Sequence, residues 1–180
     1  MKRIKGQMLR RSADYPFYGL LVVCLFLGGF RMKIINIKDT PDFIPYVAHW
    51  FQKKWGIPME AYVASMQAAC EEKTGIPAWY YVLDERETII AGVGVIANEF
   101  HKRPDLTPNI CALYVEKGFR GKGLARELLE CVYRHLTEYG ISDVYLIALS
   151  ADFFEKNGWS FFVDVKKYDG KMAKLYHKTI

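Results

Sequence analysis

Residues 113–125 constrain the fold more than any other part of the chain. Their sequence, LYVEKGFRGKGLA, runs from an apolar, strand-like segment through a short basic loop into a helix. Apolar side chains recur at helical spacing from Leu124 to Leu136, and Gly140 follows, so the pattern predicts a strongly amphipathic helix over 121–139. A strand, a glycine-bearing loop and such a helix in succession are expected to pack as a helix against a sheet.

The loop in this segment has the composition of an anion-binding site. The first turn of a helix has N–H groups without intrahelical acceptors and carries about half a positive charge. Gly121 and Gly123 allow a ligand to approach the backbone, and Arg120 and Lys122 add positive charge. A phosphate or pyrophosphate is the expected ligand. The spacing is not that of a Walker A or dinucleotide-binding motif, and a tight turn whose glycines serve only chain geometry is the alternative.

The other segments alternate between helical and strand periodicity. Two period-two segments flank a turn at 84–87 and predict a β-hairpin, in which Gly92 and Gly94 mark a bulge or a close backbone approach. The order β-αα-βββ-α-β-α-ββ indicates one α/β (α+β) domain over residues 32–180, with a mixed sheet and helices on its faces. The other predicted helices lie between Thr40 and Gly56, over 59–73 and over 151–156, and the predicted strands over 33–37, 79–83, 88–98, 109–116, 144–149 and 159–165, with a last strand after 171.

The basic residues are spread unevenly along the chain. There are 25 Lys and Arg against 20 Asp and Glu, which gives a net charge of +5. Residues 1–31 hold six of the basic side chains and one of the acidic ones, so residues 32–180 are neutral. A neutral domain gives no electrostatic support for binding a phosphate backbone, and no nucleic-acid partner is expected.

The cysteine pattern predicts neither a disulfide framework nor a metal site. Cys24, Cys70, Cys111 and Cys131 form no Cys-x-x-Cys pair and have no histidine at ligand spacing. The last three lie in apolar runs, where free cysteine usually packs as a small hydrophobe. We expect a metal-free protein in a reducing compartment, the cytoplasm.

Residues 1–31 need an interpretation of their own. Lys2 to Arg11 is basic and 15–30 is almost wholly apolar, which resembles a signal peptide. The apolar run is shorter than the ~20 residues that span a bilayer, and no small-x-small cleavage site follows it. The codons for Gly28-Gly29-Phe30-Arg31 can form a purine-rich ribosome-binding sequence directly before Met32. We favour Met32 as the natural start, with 1–31 as translated upstream sequence, and keep a hydrophobic membrane anchor and a signal peptide as alternatives.

Two motifs resemble those of the GNAT superfamily of N-acetyltransferases. RGKGLA at 120–125, with Leu113-x-Val115 before it, resembles the family's Arg/Gln-x-x-Gly-x-Gly/Ala acetyl-CoA signature. YLIAL at 145–149, followed by FFEKNGW at 153–159, is similar to the family's next strand and helix end. The order of elements agrees over residues 32–180. The resemblance implies a GNAT-like, mostly antiparallel central sheet flanked by helices.

The resemblance also implies a site for acetyl-CoA as cosubstrate. The main chain of Val115 would bond the pantetheine arm, and the N–H of Leu113 would polarise the thioester carbonyl as an oxyanion donor, typically worth ~3 kcal/mol. A neutral amine would attack the thioester directly, without a covalent enzyme intermediate. The pyrophosphate of CoA would lie on the backbone N–H groups of Arg120, Gly121, Lys122, Gly123, Leu124 and Ala125.

The chain departs from the family pattern at the general acid. The family usually has a tyrosine at position 154, beside the cofactor, whose hydroxyl protonates the leaving thiolate. Phe154 has no proton to donate. Positioned acid catalysis is worth roughly 10²–10⁴-fold. A thiolate whose pKa is near ~8.5 is nevertheless a tolerable leaving group, so Phe154 does not exclude catalysis.

No residue in the sequence stands out as the general base. Glu99, at the end of the hairpin strand, is the best carboxylate for acting through water, and a solvated loop acid is the alternative for it. Asn109 and Cys111 are expected on the same strand face as Leu113. Asn109 is a candidate for orienting the amine or a water, whereas Cys111 is expected to be a core residue. His101 is expected to be an ordinary loop histidine.

The acceptor is expected to be a small-molecule amine. The first two helices usually form the wall of the acceptor site in this family, so Trp50, Trp55 and Tyr62 would give an aromatic pocket unless they are simple core. The main prediction is transfer of an acetyl group from acetyl-CoA to a primary amine in a ternary complex. The alternative is a catalytically weak or inactive acyl-CoA-binding regulator on the same fold. A homodimer through sheet edges stays open, and membrane binding depends on residues 1–31.

Overall fold

A computed structural model describes residues 23–27, 30–148 and 150–180. Most of residues 1–31 lies outside this part of the chain, and the interpretation of that segment as translated upstream sequence stays a prediction. None of the helices in the described ranges combines the length and apolar content that crossing a bilayer requires.

In the described part of the chain, eight strands form one sheet in the order β1-β2-β3-β4-β5-β6-β8-β7. Neighbouring strands are antiparallel except β5 and β6, which are parallel. With helices on its faces, this mixed and mostly antiparallel sheet confirms the predicted fold class, and β1 is a strand that the sequence pattern did not predict. The strands are β1 Val23–Leu27, β2 Phe30–Asn36, β3 Ala78–Leu83, β4 Ile89–Ile96, β5 Asn109–Val115, β6 Asp143–Ile147, β7 Ser160–Lys166 and β8 Met172–Thr179. The helices are α1 Ile44–Trp55, α2 Met59–Glu71, α3 Leu124–Glu138 and α4 Ala151–Glu155.

Glycines in the left-handed region set several helix ends. Gly56 has a φ of +70° and ends α1, as predicted. Gly121 and Gly123 have φ values of +72° and +83°. A right-handed helix cannot include such residues, so α3 begins at Leu124 and not at 121 as the apolar pattern had indicated.

The central strands are covered on both faces. α3 packs on one face and buries Leu128 and Val132 completely. α1 and α2 pack on the other face, where Phe51 and Met66 are equally buried. β3 and β4 are accordingly buried along almost their whole length. Strands enclosed in this way read as continuous apolar runs.

Close packing of aromatic rings explains the two glycines of β4. A Cβ atom on Gly92 would lie 2.6 Å from Cζ of Phe51, and one on Gly94 would lie 2.5 Å from the ring of Trp79. The register of the ladder between β4 and β5 also shifts between these two glycines. The close backbone approach predicted for these glycines is therefore confirmed, whereas the bulge lies on the neighbouring strand β5. Phe51 of α1 lies directly on the sheet because Gly92 has no side chain.

The register shift changes which face of the sheet the side chains of β5 point to. Two residues of β5, Ala112 and Leu113, oppose Val93 of β4, and Ala112 has a φ of +55°. This is a β-bulge, which ends the two-residue alternation of side chains. Cys111 consequently packs in the core under α1 and α2, whereas Leu113 packs on the α3 side. The expectation that both share one face was wrong, because it assumed an unbroken strand.

Candidate active site

β5 and β6 separate and leave a groove between them. Among the described residues the two parallel strands share one ladder pair, Asn109 with Tyr145, and the Tyr145 N–H donates to the Pro108 carbonyl at 3.0 Å. Beyond this pair the strands diverge, and the gap widens into a groove of about 1480 Å³. Ordinary small-molecule pockets occupy ~300–1,000 Å³, so the groove suits an extended ligand.

Most of the predicted site residues line this groove, although they come from three separate parts of the chain: Glu99, residues 113–125 and Phe154. Lys122 and Asn109 are the predicted residues that do not lie on its wall. The predicted residues on the wall are Glu99, Leu113, Val115, Arg120, Gly121, Gly123, Leu124, Ala125 and Phe154.

The N-terminus of α3 forms one side of the groove. Within the described part of the chain, the N–H groups of Gly121, Gly123, Leu124 and Ala125 have no hydrogen-bond acceptor. No atom lies within 4 Å of a Cβ placed on Gly121 or Gly123, so their backbone forms an open cradle that any side chain would fill. Free N–H groups at the positive end of a helix favour an anionic ligand.

Arg120 fixes the loop to the end of β5. Its Nε donates to the Val115 carbonyl at 2.8 Å, and its guanidinium carbon lies 5.3 Å from the ring centroid of Tyr114. Such cation–π contacts are favourable by ~0.5–1 kcal/mol at exposed sites. Arg120 therefore holds the loop in place while its charge stays on the groove wall.

A second brace joins α1 to the residue after β5. Glu116 accepts a hydrogen bond from the indole N–H of Trp50 at 3.2 Å and forms a salt bridge with Lys54. The Lys54 ammonium also lies 5.0 Å from the ring centroid of Tyr114. Trp50 therefore belongs to this brace and not to the acceptor cavity, although the family resemblance had placed it there.

Glu99 occupies the point where β5 and β6 part. Its Oε2 accepts the N–H of Ile147 at 3.2 Å, a group that the parallel ladder would use if it continued past Tyr145. Burial raises the pKa of Glu99 to about 7, against smaller lowering effects of the Ile147 N–H and the Lys167 charge. A carboxyl that titrates near neutrality can both accept and release a proton.

Asn109 positions the Glu99 loop from inside the protein. It is fully buried, and its Oδ1 accepts the Glu99 N–H at 2.8 Å while its Nδ2 donates to the Leu106 carbonyl at 2.6 Å. The buried His101 Nε2 lies 2.7 Å from the same Oδ1. Because Nδ1 of His101 accepts the Arg103 N–H at 3.2 Å, Nε2 carries the proton and donates. Asn109 is therefore fully buried and does not lie on the groove wall, and no pattern in the sequence indicates that His101 bonds to it.

A smaller cavity of about 110 Å³ adjoins the groove beneath α1 and α2. Its wall shares residues with the groove, among them Trp55, Glu99 and Cys111, so the two spaces are neighbours at Glu99. The remaining wall is mainly apolar and includes Trp79 and Tyr62. Burial, and after it the charge of Glu99, raises the pKa of the Cys111 thiol well above its usual range. Cys111 is therefore a neutral thiol and not a nucleophile.

Tyr62 contributes the one buried side-chain polar atom in the described residues that lacks a hydrogen-bond partner. The side chain is only 3% exposed, and its ring stacks on Phe51 at 5.5 Å and meets Trp79 edge-on at 5.5 Å. Burial is the main cause of the raised pKa of Tyr62. Tyr62, Cys111 and Glu99 all lie on the wall of this cavity. An unsatisfied buried hydroxyl costs ~1–3 kcal/mol. Sequence periodicity marks Tyr62 only as an apolar position of α2.

Phe154 lies on the groove wall. Its ring meets Phe153 and Trp159 edge-on at 5.2 and 6.1 Å, and it packs against the α3-side core. An aromatic ring is thus retained beside the groove without the hydroxyl of the family's usual tyrosine.

The comparisons with known proteins and the shape of the groove indicate the same class of protein. Residues 77–160 match the acetyltransferase (GNAT) domain family. Among solved structures, an acetyltransferase of the GNAT family from Streptococcus pneumoniae is 13% identical, with 82% of this chain and 99% of that chain covered and a TM-score of 0.60. One from Staphylococcus aureus Mu50 is 16% identical, with 82% and 98% covered and a TM-score of 0.55. A spermidine N-acetyltransferase chimera from Vibrio cholerae and hSSAT is 12% identical, with 82% and 95% covered and a TM-score of 0.57. A comparison with curated proteins gives no match.

The fold is that of GNAT acetyltransferases. The family match spans β3 to the start of β7 and includes the loop, α3 and Phe154, and therefore much of the groove wall. Identities of 12–16% show that the fold is shared with the solved structures and do not transfer their acceptors to this chain. The common chemistry of the domain is acyl transfer.

Proposed function

We propose that this protein is an N-acetyltransferase that uses acetyl-CoA to acetylate a primary amine of a small molecule. The observation that carries the proposal is the meeting of two spaces at Glu99. One is an extended groove with an anion-binding helix end, and the other is a small aromatic cavity. A long anionic acyl donor and a compact acceptor would therefore reach the same carboxyl from opposite sides.

The residues around the groove fit acetyl-CoA. The open cradle at Gly121 and Gly123 would hold the pyrophosphate, with Arg120 and Lys122 adding positive charge nearby. The diverging edge of β5 leaves main-chain groups near Val115 for the pantetheine arm. A β-bulge disrupts the ladder locally, which supports Leu113 as the N–H donor to the thioester carbonyl. Acetyl-CoA supplies an acetyl thioester, which a neutral amine attacks directly with loss of the CoA thiolate.

Glu99 is our candidate for the general base. Its pKa of about 7 leaves a substantial fraction of the carboxylate charged at neutral pH, and the carboxyl lies on the walls of both spaces. It would take the amine proton directly or through water as the nitrogen attacks. Asn109, proposed from the sequence as a group that orients the amine, is better assigned to positioning Glu99, because its amide is used inside the protein.

Phe154 favours a second candidate function. Without a hydroxyl at this position, the protein could be an acyl-CoA-binding regulator with little transfer activity. The same groove serves both functions, so cofactor binding alone does not distinguish them.

Release of free CoA thiol in the presence of an amine panel tests the proposal. We expect acetyl-CoA to bind with 1:1 stoichiometry in calorimetry, and thiol release to depend on the amine and to saturate with it. Saturable acetyl-CoA binding with no amine-dependent thiol would contradict acetyl transfer and support the regulator.

A further inference from the structure

The cavity beneath α1 and α2 restricts what the acceptor can be, provided that the proposed acetyl transfer holds. At about 110 Å³ it is smaller than the ~300 Å³ lower end of ordinary ligand pockets, so it fits a compact molecule. Trp55, Ile57 and Trp79 lie on its wall. These side chains favour an apolar or aromatic body over a polar one.

The charge of the cavity restricts the acceptor further. Among the described residues of its wall, Glu99 is the one with a carboxyl group, and no lysine or arginine lies on that wall. One ammonium group can therefore be paired there. A second ammonium would be buried without a partner, and a carboxylate on the acceptor would lie near Glu99 without a compensating cation.

Besides Glu99 and Ser65, whose hydroxyl accepts the Trp79 N–H, the cavity wall has a third oxygen-bearing side chain, Tyr62. The other buried tyrosine hydroxyls in the described residues each have a partner: Tyr80 with Asn36, Tyr81 with Thr40, Tyr133 with Trp159 and Tyr176 with Glu155. The Tyr62 hydroxyl has none, and its ring is fixed by Phe51 and Trp79. A fixed, unpaired hydroxyl of a residue that lines the same cavity as Glu99 can accept an N–H from an amine and leave the lone pair of the nitrogen free to attack.

We propose that the acceptor is a compact monoamine with an apolar or aromatic body, and that the Tyr62 hydroxyl positions its nitrogen beside Glu99. Tyr62 is then a positioning residue that selects a primary amine without itself exchanging a proton. Polyamines and amino acids are poor acceptors in this account, because the cavity pairs only one charge.

A matched set of amines tests the substrate class. Phenylalanine differs from 2-phenylethylamine only by its carboxylate, and spermidine carries additional ammonium groups. We expect kcat/KM for 2-phenylethylamine, measured by thiol release, to exceed that for either of the others by about 100-fold, since a buried unpaired charge is costly. Equal or faster turnover of spermidine or phenylalanine would overturn the substrate class while leaving acetyl transfer intact.

Tyr62→Phe tests the hydroxyl. The variant should weaken binding of 2-phenylethylamine to the CoA-saturated protein about tenfold in calorimetry, the usual worth of one hydrogen bond. It should not lower Tm, because it removes a polar group that has no partner in the protein. Unchanged amine affinity would overturn the role of Tyr62.

Tyr133→Phe is the matched control, since it removes a buried tyrosine hydroxyl that is bonded and lies outside the cavity. It should lower Tm, because the Trp159 N–H loses its acceptor, and should leave amine affinity unchanged. Amine binding to the CoA-saturated protein does not require turnover. If the amine binds as expected and no thiol is ever released, acetyl transfer fails and the cavity assignment stands.

Discussion

The two halves of the site are built from different parts of the polypeptide. The donor half, at the start of α3, consists of main-chain N–H groups and glycines, and its sequence motif is compact. The acceptor half consists of side chains from α1, α2, β3, β4 and β5 that meet only in the folded protein. A main-chain cradle recognises a chemical group that every acyl-CoA shares. A side-chain cavity can change its ligand by substitution, so we expect the acceptor half to determine which amine this chain accepts.

Replacing Glu99 should have the largest effect and should break only the acceptor half. Glu99→Gln retains an oxygen for the Ile147 N–H and removes the base. We expect kcat to fall by about 10²–10⁴-fold. The rise of kcat/KM with pH through about 7 that the wild type should show is expected to disappear. Steady-state thiol release between pH 5.5 and 9 measures both effects. Unchanged acetyl-CoA affinity is the required control, and a wild-type pH profile in the variant would exclude Glu99 as the base.

Filling the cradle should break only the donor half. Gly123→Leu places a side chain where the N–H groups would meet the pyrophosphate, and acetyl-CoA affinity should fall about 100-fold in calorimetry. Gly140→Leu is the matched control, because Gly140 lies beyond the other end of α3 with a φ of +74° and an equally open surrounding. Both variants carry similar backbone strain, ~1–2 kcal/mol, and should lose similar stability. Equal acetyl-CoA affinity in the two would contradict the cradle.

The raised pKa of Glu99 also predicts how stability depends on pH. Between pH 4.5 and about 7 the folded protein retains a proton on Glu99 that the unfolded chain has released, so the folded state binds more protons and loses stability as pH rises. Glu99→Gln removes this contribution. Between pH 5 and pH 8 its free energy of unfolding should therefore rise by up to about 3 kcal/mol relative to that of the wild type. Urea unfolding at both pH values measures it. A difference independent of pH would mean that Glu99 has an ordinary pKa.

Restoring the family's hydroxyl should have the smallest effect. Phe154→Tyr places a proton donor on the groove wall, and we expect turnover to rise by up to about tenfold. This is below the usual ~10²–10⁴-fold of acid catalysis, because a thiolate leaves readily without help. Pre-steady-state measurement of thiol release separates this step from product release. A lower or unchanged rate would show that the protein does not lack an acid.

The contrast between a compact main-chain motif and a cavity of scattered side chains also explains which features could be predicted from the sequence. The element order, the loop and the glycines of β4 follow from local patterns, since helical periodicity, positive φ and close packing each leave a mark on neighbouring residues. The bulge at Ala112 leaves none, because alanine is not a residue that marks positive φ, and so the face of Leu113 was predicted wrongly. The unpaired hydroxyl of Tyr62 and the hydrogen bond between His101 and Asn109 were missed for a related reason. Their roles depend on partners distant in sequence, which periodicity cannot identify.

Hydrogen–deuterium exchange with and without acetyl-CoA tests the central claim most directly, because it reports on the main-chain amides themselves. Acetyl-CoA should protect the amides of residues 120–125 more than those of any other loop. Protection confined to another part of the molecule, or an unchanged exchange rate at these residues under saturating acetyl-CoA, would contradict a donor site at the start of α3.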